Sequence, residues 1–498
     1  MLKIFSAEQT RALDAFSIQH GSISSIDLME RACHAFVRWL AERFDSSKKI
    51  GIVCGTGNNG GDGLGIARIM IDWGYAVSVW IVTGSAKESE DFKINRERLP
   101  AKLKVLDFPA DPRPEIFSSC EILIDAVFGS GLSRPVDGIY AQAIDAINAS
   151  KATRIAVDIP SGLLSDVHSS GPTVKANYTV SFQMPKLAFM MPENDAWVGE
   201  WHLVDIGLNM EFIKKEKTEY FLLDKKAIKK LLRTRATFSH KGDYGHALIV
   251  AGSYGKMGAC ILASRGALRA GVGLLTVHIP KSGYSILQSS VPEAMVMVDD
   301  HSHVFSDPYS LDAFSVIGLG PGLGQEKETL AGIKKILTSG KPMVIDADAI
   351  NLLGAHRELL PLIPEGSILT PHPKEFERLA GKWKDDFERL ALQRKISHEL
   401  KCVVLIKGAK TAIAVPTGEV YFNSTGNPGM ATGGSGDVLT GILTGLMAQK
   451  YSPSEAALVG VYLHGLSGDL AVRDKGMYSL IASDLVDYLP AAFISVTR

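Results

Sequence analysis

Along the first two fifths of the chain, apolar residues fall in short continuous runs that do not alternate with polar ones: Lys49 to Cys54, Ala76 to Val82, Leu103 to Phe108, Ile122 to Phe128, Arg154 to Ile159, Tyr178 to Phe182 and Trp201 to Val204. Segments with helical spacing lie between several of them. Strands buried on both faces have this character, so the pattern predicts a parallel, doubly wound sheet. Two helical patterns precede it over residues 7–44, the second from Ser25 to Arg43 with a serine cap and Asp27 in its first turn. Periodicity fails across the charged stretch Asn209 to Glu219, where a domain linker is expected. Strand and helix then alternate again at His246 to Ala251, Leu274 to Ile279, Val316 to Leu319, Met343 to Ile345, Ser367 to Thr370 and Val403 to Ile406. A hairpin is expected across Thr411 to Phe422, and a last glycine-rich turn feeds a helix from Gly436 to about Gln449. The expectation is two α/β domains, 1–215 and 220–498, without an internal repeat.

Composition narrows the class. A chain of 498 residues exceeds the roughly 250–300 at which a single core stops growing, which agrees with two domains. Hydrophobic residues at 46% and charged ones at 21% leave no segment poor enough in apolar side chains to stay disordered. A net charge of −1, with no dense basic run interleaved with aromatics, argues against nucleic acid as a partner. The five scattered cysteines, Cys33, Cys54, Cys120, Cys260 and Cys402, read as buried thiols of a reducing compartment. Neither a signal or transit peptide nor a run of roughly 18 apolar residues is evident, so the expectation is a soluble, cytoplasmic protein away from membranes. Met-rich apolar patches are available for self-association.

Directly after the first strand comes Gly55-Thr56-Gly57-Asn58-Asn59-Gly60-Gly61-Asp62-Gly63, expected to lead into a helix near Leu64. Glycines let a backbone approach a ligand, and the amides of a helix N-terminus attract phosphate. The spacing misses the G-x-G-x-x-G of dehydrogenases, and the asparagine and aspartate oxygens suit a cation or a sugar hydroxyl, so a redox dinucleotide site is not read here. Asp125 and Asp158 each end an apolar strand, at the place where open α/β sheets bind ligands. Asp125 opens Asp125-Ala126-Val127-Phe128-Gly129-Ser130-Gly131-Leu132-Ser133-Arg134-Pro135, and Asp158 lies in Val157-Asp158-Ile159-Pro160-Ser161-Gly162. Partly buried carboxylates need partners. Capping a neighbouring loop would satisfy either one, and Asp158 is the favoured acid/base.

These three motifs resemble the epimerase domain of the NAD(P)H-hydrate repair family over roughly residues 1 to 215. The resemblance implies a Rossmann-like sheet, with hydrated NADH or NADPH bound by Asn58, Asn59, Gly60, Gly61 and Asp62, by Gly129, Ser130, Gly131, Leu132, Ser133, Arg134 and Pro135, and by Tyr140. It places Asp158 at the reacting carbon and potassium on Asn59, Asp125 and Ser161. The family commonly has threonine where Ser130 stands.

In the second half, Asn427-Pro428-Gly429-Met430-Ala431-Thr432-Gly433-Gly434-Ser435-Gly436-Asp437-Val438-Leu439 runs straight into an apolar helix. Amides at a positive helix end form an anion hole, and a carboxylate among them can deprotonate a hydroxyl facing a phosphate. The motif resembles the G-x-G-D signature of the ribokinase-like superfamily. With His240-Lys241-Gly242-Asp243, Gly320-Pro321-Gly322-Leu323-Gly324, Asp346-Ala347-Asp348-Ala349, Thr370-Pro371-His372-Pro373 and Lys407-Gly408-Ala409-Lys410-Thr411, it is similar to the nucleotide-dependent NAD(P)H-hydrate dehydratases across residues 220 to 498. That resemblance implies contacts to the hydrated nucleotide from Ala259, Gly322, His372 and Asp437. It implies contacts to an adenine nucleotide from Lys407, Gly408, Ala409, Lys410, Thr411 and Gly436.

The same resemblance implies ADP, or ATP, as phosphoryl donor with Mg²⁺, Asp437 as base, and a homo-oligomer. His464, inside an apolar helix, reads as a hydrogen-bonded core histidine. No zinc spacing and no G-x-S-x-G elbow is present. Two other classes stay open at this point: a vitamin-precursor or sugar kinase with an accessory nucleotide-binding domain, and a first half that binds without catalysis.

Overall fold

The computed structural model describes residues 1–84, 87–113 and 115–498. Residues 2–218 form one compact unit, and residues 219–384 with 388–498 form the other. The first unit opens with helices α1 (Ala7–Gly21) and α2 (Ser25–Ala41). Serine caps start both: Ser6 and Gln9 form a capping box on α1, and Ser24 with Asp27 does the same on α2, so the α2 cap is Ser24 and Ser25 is its first helical residue. Helix α2 buries Cys33, Phe36, Val37 and Leu40 on one face, the stripe that a 3.6-residue period produces.

Seven strands follow: β1 (Lys49–Cys54), β2 (Ala76–Ile81), β3 (Lys104–Asp107), β4 (Ile122–Ala126), β5 (Thr153–Val157), β6 (Tyr178–Phe182) and β7 (Glu200–Val204). Every pairing is parallel, in the order β3-β2-β1-β4-β5-β6-β7. The chain runs outward from β1 to β3 and then returns to β4 on the other side of β1. This reversal opens a crevice at the carboxyl ends of β1 and β4.

Helix α3 (Asn58–Asp72) leaves that crevice, starting at Asn58 and not near Leu64 as the glycines suggest. Its glycines serve close packing, not unusual backbone angles. A Cβ on Gly60 would overlap the Gly55 carbonyl oxygen, one on Gly63 would lie 2.6 Å from Cys54 Sγ, and one on Gly65 2.6 Å from Cys33 Sγ. The stretch Asn209 to Glu219 also differs from expectation, since Met210–Lys215 is a helix capped by Asn209. It buries no residue, and so little apolar periodicity marks it.

The second unit contains β8 (Tyr220–Leu222), β9 (His246–Val250), β10 (Leu274–Ile279), β11 (Met295–Val298), β12 (Val316–Leu319), β13 (Met343–Ile345), β14 (Ile368–Leu369), β15 (Val403–Ile406), β16 (Ala412–Ala414) and β17 (Val420–Phe422). They lie in the order β8-β17-β16-β15-β14-β13-β12-β9-β10-β11. Only the β15-β16-β17 meander is antiparallel. Again the chain reverses about its central strand, β9, and returns at β12. Helices α4 (Met257–Arg269) and α5 (Ser435–Ala448) pack against each other through small residues: a Cβ on Gly441 would overlap the Ala263 carbonyl oxygen, and one on Gly266 would lie 2.6 Å from that of Val438. This close pairing anchors the helix that carries Asp437.

All five cysteines are free, and four of them are buried. Among the described residues no helix is long and apolar enough to cross a membrane.

If glycine at the start of α3 is required by packing, Gly60→Ala should destabilise the first unit by about 1–3 kcal/mol, as overpacking does. Gly131→Ala, where nothing lies within 4 Å of the added Cβ, should stay within about 0.5 kcal/mol. Urea unfolding followed by tryptophan fluorescence checks this, and equal effects at both positions would contradict it.

Candidate active sites

A cleft of about 720 Å³ lies at the carboxyl ends of the first sheet. Asn58, Asn59 and Asp62 of α3 line it, as do Gly129 to Arg134, Asp158, and from α1 Arg11 and Asp14. Its floor is a buried ion pair. Asp158 follows β5 in a left-handed conformation, φ 65°, which aspartate tolerates better than most residues. Its Oδ1 accepts from Lys186 Nζ at 2.5 Å and from Ser181 Oγ at 3.2 Å, and Lys186 also donates to Ser181 Oγ at 2.8 Å. The lysine side chain is 3% exposed and that of the aspartate 11%. Burial works against the Asp158 charge, but the Lys186 ammonium outweighs it and holds the carboxyl below its usual range.

The neighbouring carboxyls lack such help. Burial and the Asp158 charge push Asp14 up to about 6, and burial with three surrounding aspartates pushes Asp62 well above the carboxylate range. Asp125, fully buried, accepts only from neutral donors: the Ser161 amide at 2.7 Å, Ser161 Oγ at 2.5 Å and the Val127 amide at 3.3 Å. Burial pushes it to about 6. Beside it, the buried Asn59 Nδ2 has no hydrogen-bond partner.

The structure thus brings Asn58, Asn59, Asp62, the Gly129 to Arg134 segment and Asp158 into one cleft, with Asp125 and Ser161 paired to each other. Gly60, Gly61, Pro135 and Tyr140 are not part of its lining. Gly60 and Gly61 face Gly55 and Met29, and the Tyr140 ring packs 4.8 Å from Phe128.

The second site gathers at the carboxyl ends of β12 to β15 and at the N-terminus of α5. Asp346 is 1% exposed and accepts from Lys407 Nζ at 2.6 Å and from Thr440 Oγ1 at 2.7 Å. Asp437 sits in the first turn of α5, pushed up to about 6 by burial and the Asp346 charge, with Lys407 opposing. A Cβ on Gly436 would lie 3.3 Å from Lys407 Nζ, so lysine, glycine amides and Asp437 converge. Gly434 takes φ 93° to turn the loop into the helix.

Gly322, φ 64°, stands against α4, where its Cβ would lie 3.1 Å from that of Ala259. His372 caps the helix Pro373–Ala380: its Nδ1 accepts from the Lys374 and Glu375 amides at 3.1 and 3.3 Å, and Nε2 lies 3.3 Å from Glu375 Oε1. Within the Lys407 to Thr411 turn, which also holds Ala409 and Lys410, the Gly408 amide donates to Thr411 Oγ1 at 3.3 Å. His464 is buried and lies 3.0 Å from the Ser435 carbonyl oxygen, and burial depresses it to about 4. It is a neutral core group that holds the first turn of α5.

Sequence reading passed over Lys186, Asp14 and Thr440. Lys186 follows a strand end at Pro185-Lys186, a detectable if weak signal. Asp14 lies on a helix remote in sequence from every loop motif, and Thr440 reads as one more residue of an apolar helix.

Two α/β units, each with an ionised lysine–aspartate pair and further carboxyls at the carboxyl ends of its strands, define a two-site protein for polar, phosphate-bearing ligands. A family model described as NAD(P)H-hydrate dehydratase matches residues 247–491, and one described as YjeF-related protein N-terminus matches residues 25–188. The chain is 37% identical over 507 residues to the bifunctional NAD(P)H-hydrate repair enzyme Nnr of Moorella thermoacetica, covering 98% of this chain and 96% of that protein. The protein of the same name in Coxiella burnetii is 36% identical, at 98% and 99% coverage. A solved ribokinase-like superfamily protein from Enterococcus faecalis superposes with a TM-score of 0.51 at 28% identity, covering 57% of this chain and 99% of that one. The chain belongs to the bifunctional NAD(P)H-hydrate repair enzyme family.

Removing Lys186 as Met should cost about 3–5 kcal/mol at neutral pH, because it strands a buried charge. Asp158 is depressed in the folded protein, so the pair's contribution is present above the unfolded carboxylate range and is lost as pH falls through the folded value. The deficit of the variant should therefore shrink between pH 7 and pH 5, where its own Asp158 takes up a proton. Denaturant unfolding at both pH values measures this, and a constant gap would assign Lys186 to packing alone.

Proposed function

We propose that the first unit interconverts the two epimers of hydrated NADH and NADPH, and that the second dehydrates the S epimer to NAD(P)H at the expense of ADP, giving AMP and phosphate. What carries this reading is that both sets of motif residues gather at the carboxyl ends of their own sheets, in a chain whose relatives bear the repair-enzyme name over nearly their whole length. Those names do not support a vitamin-precursor or sugar kinase.

In the second site Asp437 takes the proton of the hydroxyl beside the ring nitrogen. The hydroxyl oxygen then attacks the terminal phosphate of ADP, held by the Gly433 to Gly436 amides and by Lys407. Phosphate leaves more readily than hydroxide, the ring nitrogen supplies the electron pair, and loss of the adjacent proton restores the dihydropyridine. Mg²⁺ enters only as counterion of the nucleotide phosphates. Ala259, Gly322 and the exposed side of His372 form the hydrated-nucleotide wall, and Gly408 to Thr411 the adenine-nucleotide turn.

In the first site the free amides at the start of α3 suit the phosphates of the substrate, and Asp158 handles the proton as the hydroxyl departs and returns. Asp125, buried among neutral donors, and the unpartnered Asn59 amide fit a monovalent cation, with Ser161 as third ligand. Potassium there would neutralise Asp125. Action in the cytoplasm as a homo-oligomer belongs to the same proposal, and light scattering tests the second part of it.

Asp437→Asn keeps the amide donors and removes the base. Recovery of reduced-nicotinamide absorbance should fall by about two orders of magnitude or more, while ADP affinity by calorimetry changes little. In the wild type, kcat/KM for dehydration should decline as pH falls through about 6, where Asp437 takes up its proton. Loss of ADP binding together with activity would contradict a base role.

Asp158→Asn should abolish epimer interconversion and leave dehydration of the S epimer near wild type, since the two residues lie in different units. Loss of both activities in a folded variant would defeat that assignment.

A further inference from the structure

The first cleft holds more carboxyls than its one lysine can neutralise, and this determines which of them carries a proton. Helix α1 is held firmly: the Ala7 amide donates to Asp166 Oδ2 at 2.8 Å, Ser17 Oγ donates to the Leu13 carbonyl at 2.7 Å and accepts from the Asn209 amide at 2.9 Å, and Leu13 is fully buried. Thr10, Asp14 and Ile18 are spaced four apart, so they project as one strip, and all three line the cleft. Asp14 is therefore delivered to the cleft by a fixed scaffold. There it faces Asp158, Lys186 and Asp62, with Arg11, Arg134 and Asp91 on the same lining.

Lys186 is committed to Asp158 at 2.5 Å and to Ser181 at 2.8 Å. Asp91 accepts from Ser25 Oγ at 2.5 Å. Resting on the repair reading above, we propose that Asp14 is the proton donor of the first cleft, a catalytic residue complementary to the ionised Asp158. Two carboxyls whose surroundings drive their proton affinities apart are suited to acid and base roles in one reaction.

The step balances without a co-reactant. The Asp14 carboxyl gives its proton to the substrate hydroxyl, the carbon–oxygen bond breaks and water departs, while the ring nitrogen lone pair forms the iminium. Water then adds to the other face of that carbon, and its proton passes to Asp158. The lysine beside Asp158 makes that carboxyl release the proton readily to cleft water, from which Asp14 is reprotonated. Asp14, pushed up to about 6, both holds a proton near neutrality and gives it up. Asp62, raised further, is a poorer donor.

The test uses full-length wild type, Asp14→Asn and Asp14→Glu, following conversion of purified R hydrate to S by chromatography from pH 5 to 9. For wild type, kcat/KM should fall on the alkaline side as Asp14 loses its proton. Asp14→Asn should lower the rate by about 10²-fold or more and abolish that limb. Asp14→Glu should restore part of the rate together with the limb, which a merely structural role would not do. A wild-type rate in Asp14→Asn, or a slow variant that keeps the wild-type limb, would overturn the proposal. A wild type that does not interconvert the epimers would instead overturn the repair reading itself.

Discussion

Both sites depend on the cost of keeping carboxylate charge at the buried ends of parallel strands. Each unit meets it with one lysine: Lys186 on Asp158 at 2.5 Å, and Lys407 on Asp346 at 2.6 Å. A charge so paired stays ionised although nearly out of water. The carboxyls left without a cation, Asp14 and Asp125 in one unit and Asp437 in the other, are pushed up to about 6. One pairing thus sorts each group of acids into a charged member and members that exchange protons near neutrality, which proton-transfer chemistry requires.

Topology brings those groups together. In both sheets the chain reverses about a central strand, β1 or β9, and the crevice that results collects residues from strands far apart in sequence. Glycine completes the arrangement by removing bulk: Gly60 and Gly63 seat α3 against β1 and β4, and Gly441 and Gly266 seat α5 against α4. In each case a helix N-terminus ends up beside the carboxyl ends of strands, so its free amides and the strand-end acids face the same space.

Much of this was legible beforehand. Runs such as Ile122 to Phe128 gave the parallel sheets because strands buried on both faces carry no alternation. The strand-end aspartates Asp125 and Asp158 and the loop before α5 stood out because polar groups there have no packing purpose. The start of α3 was misjudged, since glycines at 60, 61 and 63 resemble a loop when their function is contact between backbones. Lys186 and Asp14 escaped because their meaning lies in a partner more than 25 residues away: 186 − 158 is 28 and 158 − 14 is 144. No local pattern marks a residue whose role is set by another charge across a cleft. His372 shows the reverse case, where a residue singled out by its motif has both ring nitrogens engaged in capping a helix.

The partition of charge is the claim on which the chemistry stands, and carbon-13 NMR titration of the aspartate carboxyls reads it directly, with single substitutions to assign the signals. The account predicts that Asp14, Asp125 and Asp437 move near pH 6 while Asp158 remains ionised to well below pH 4. Titration of all four together near pH 4, as exposed aspartates titrate, would contradict it.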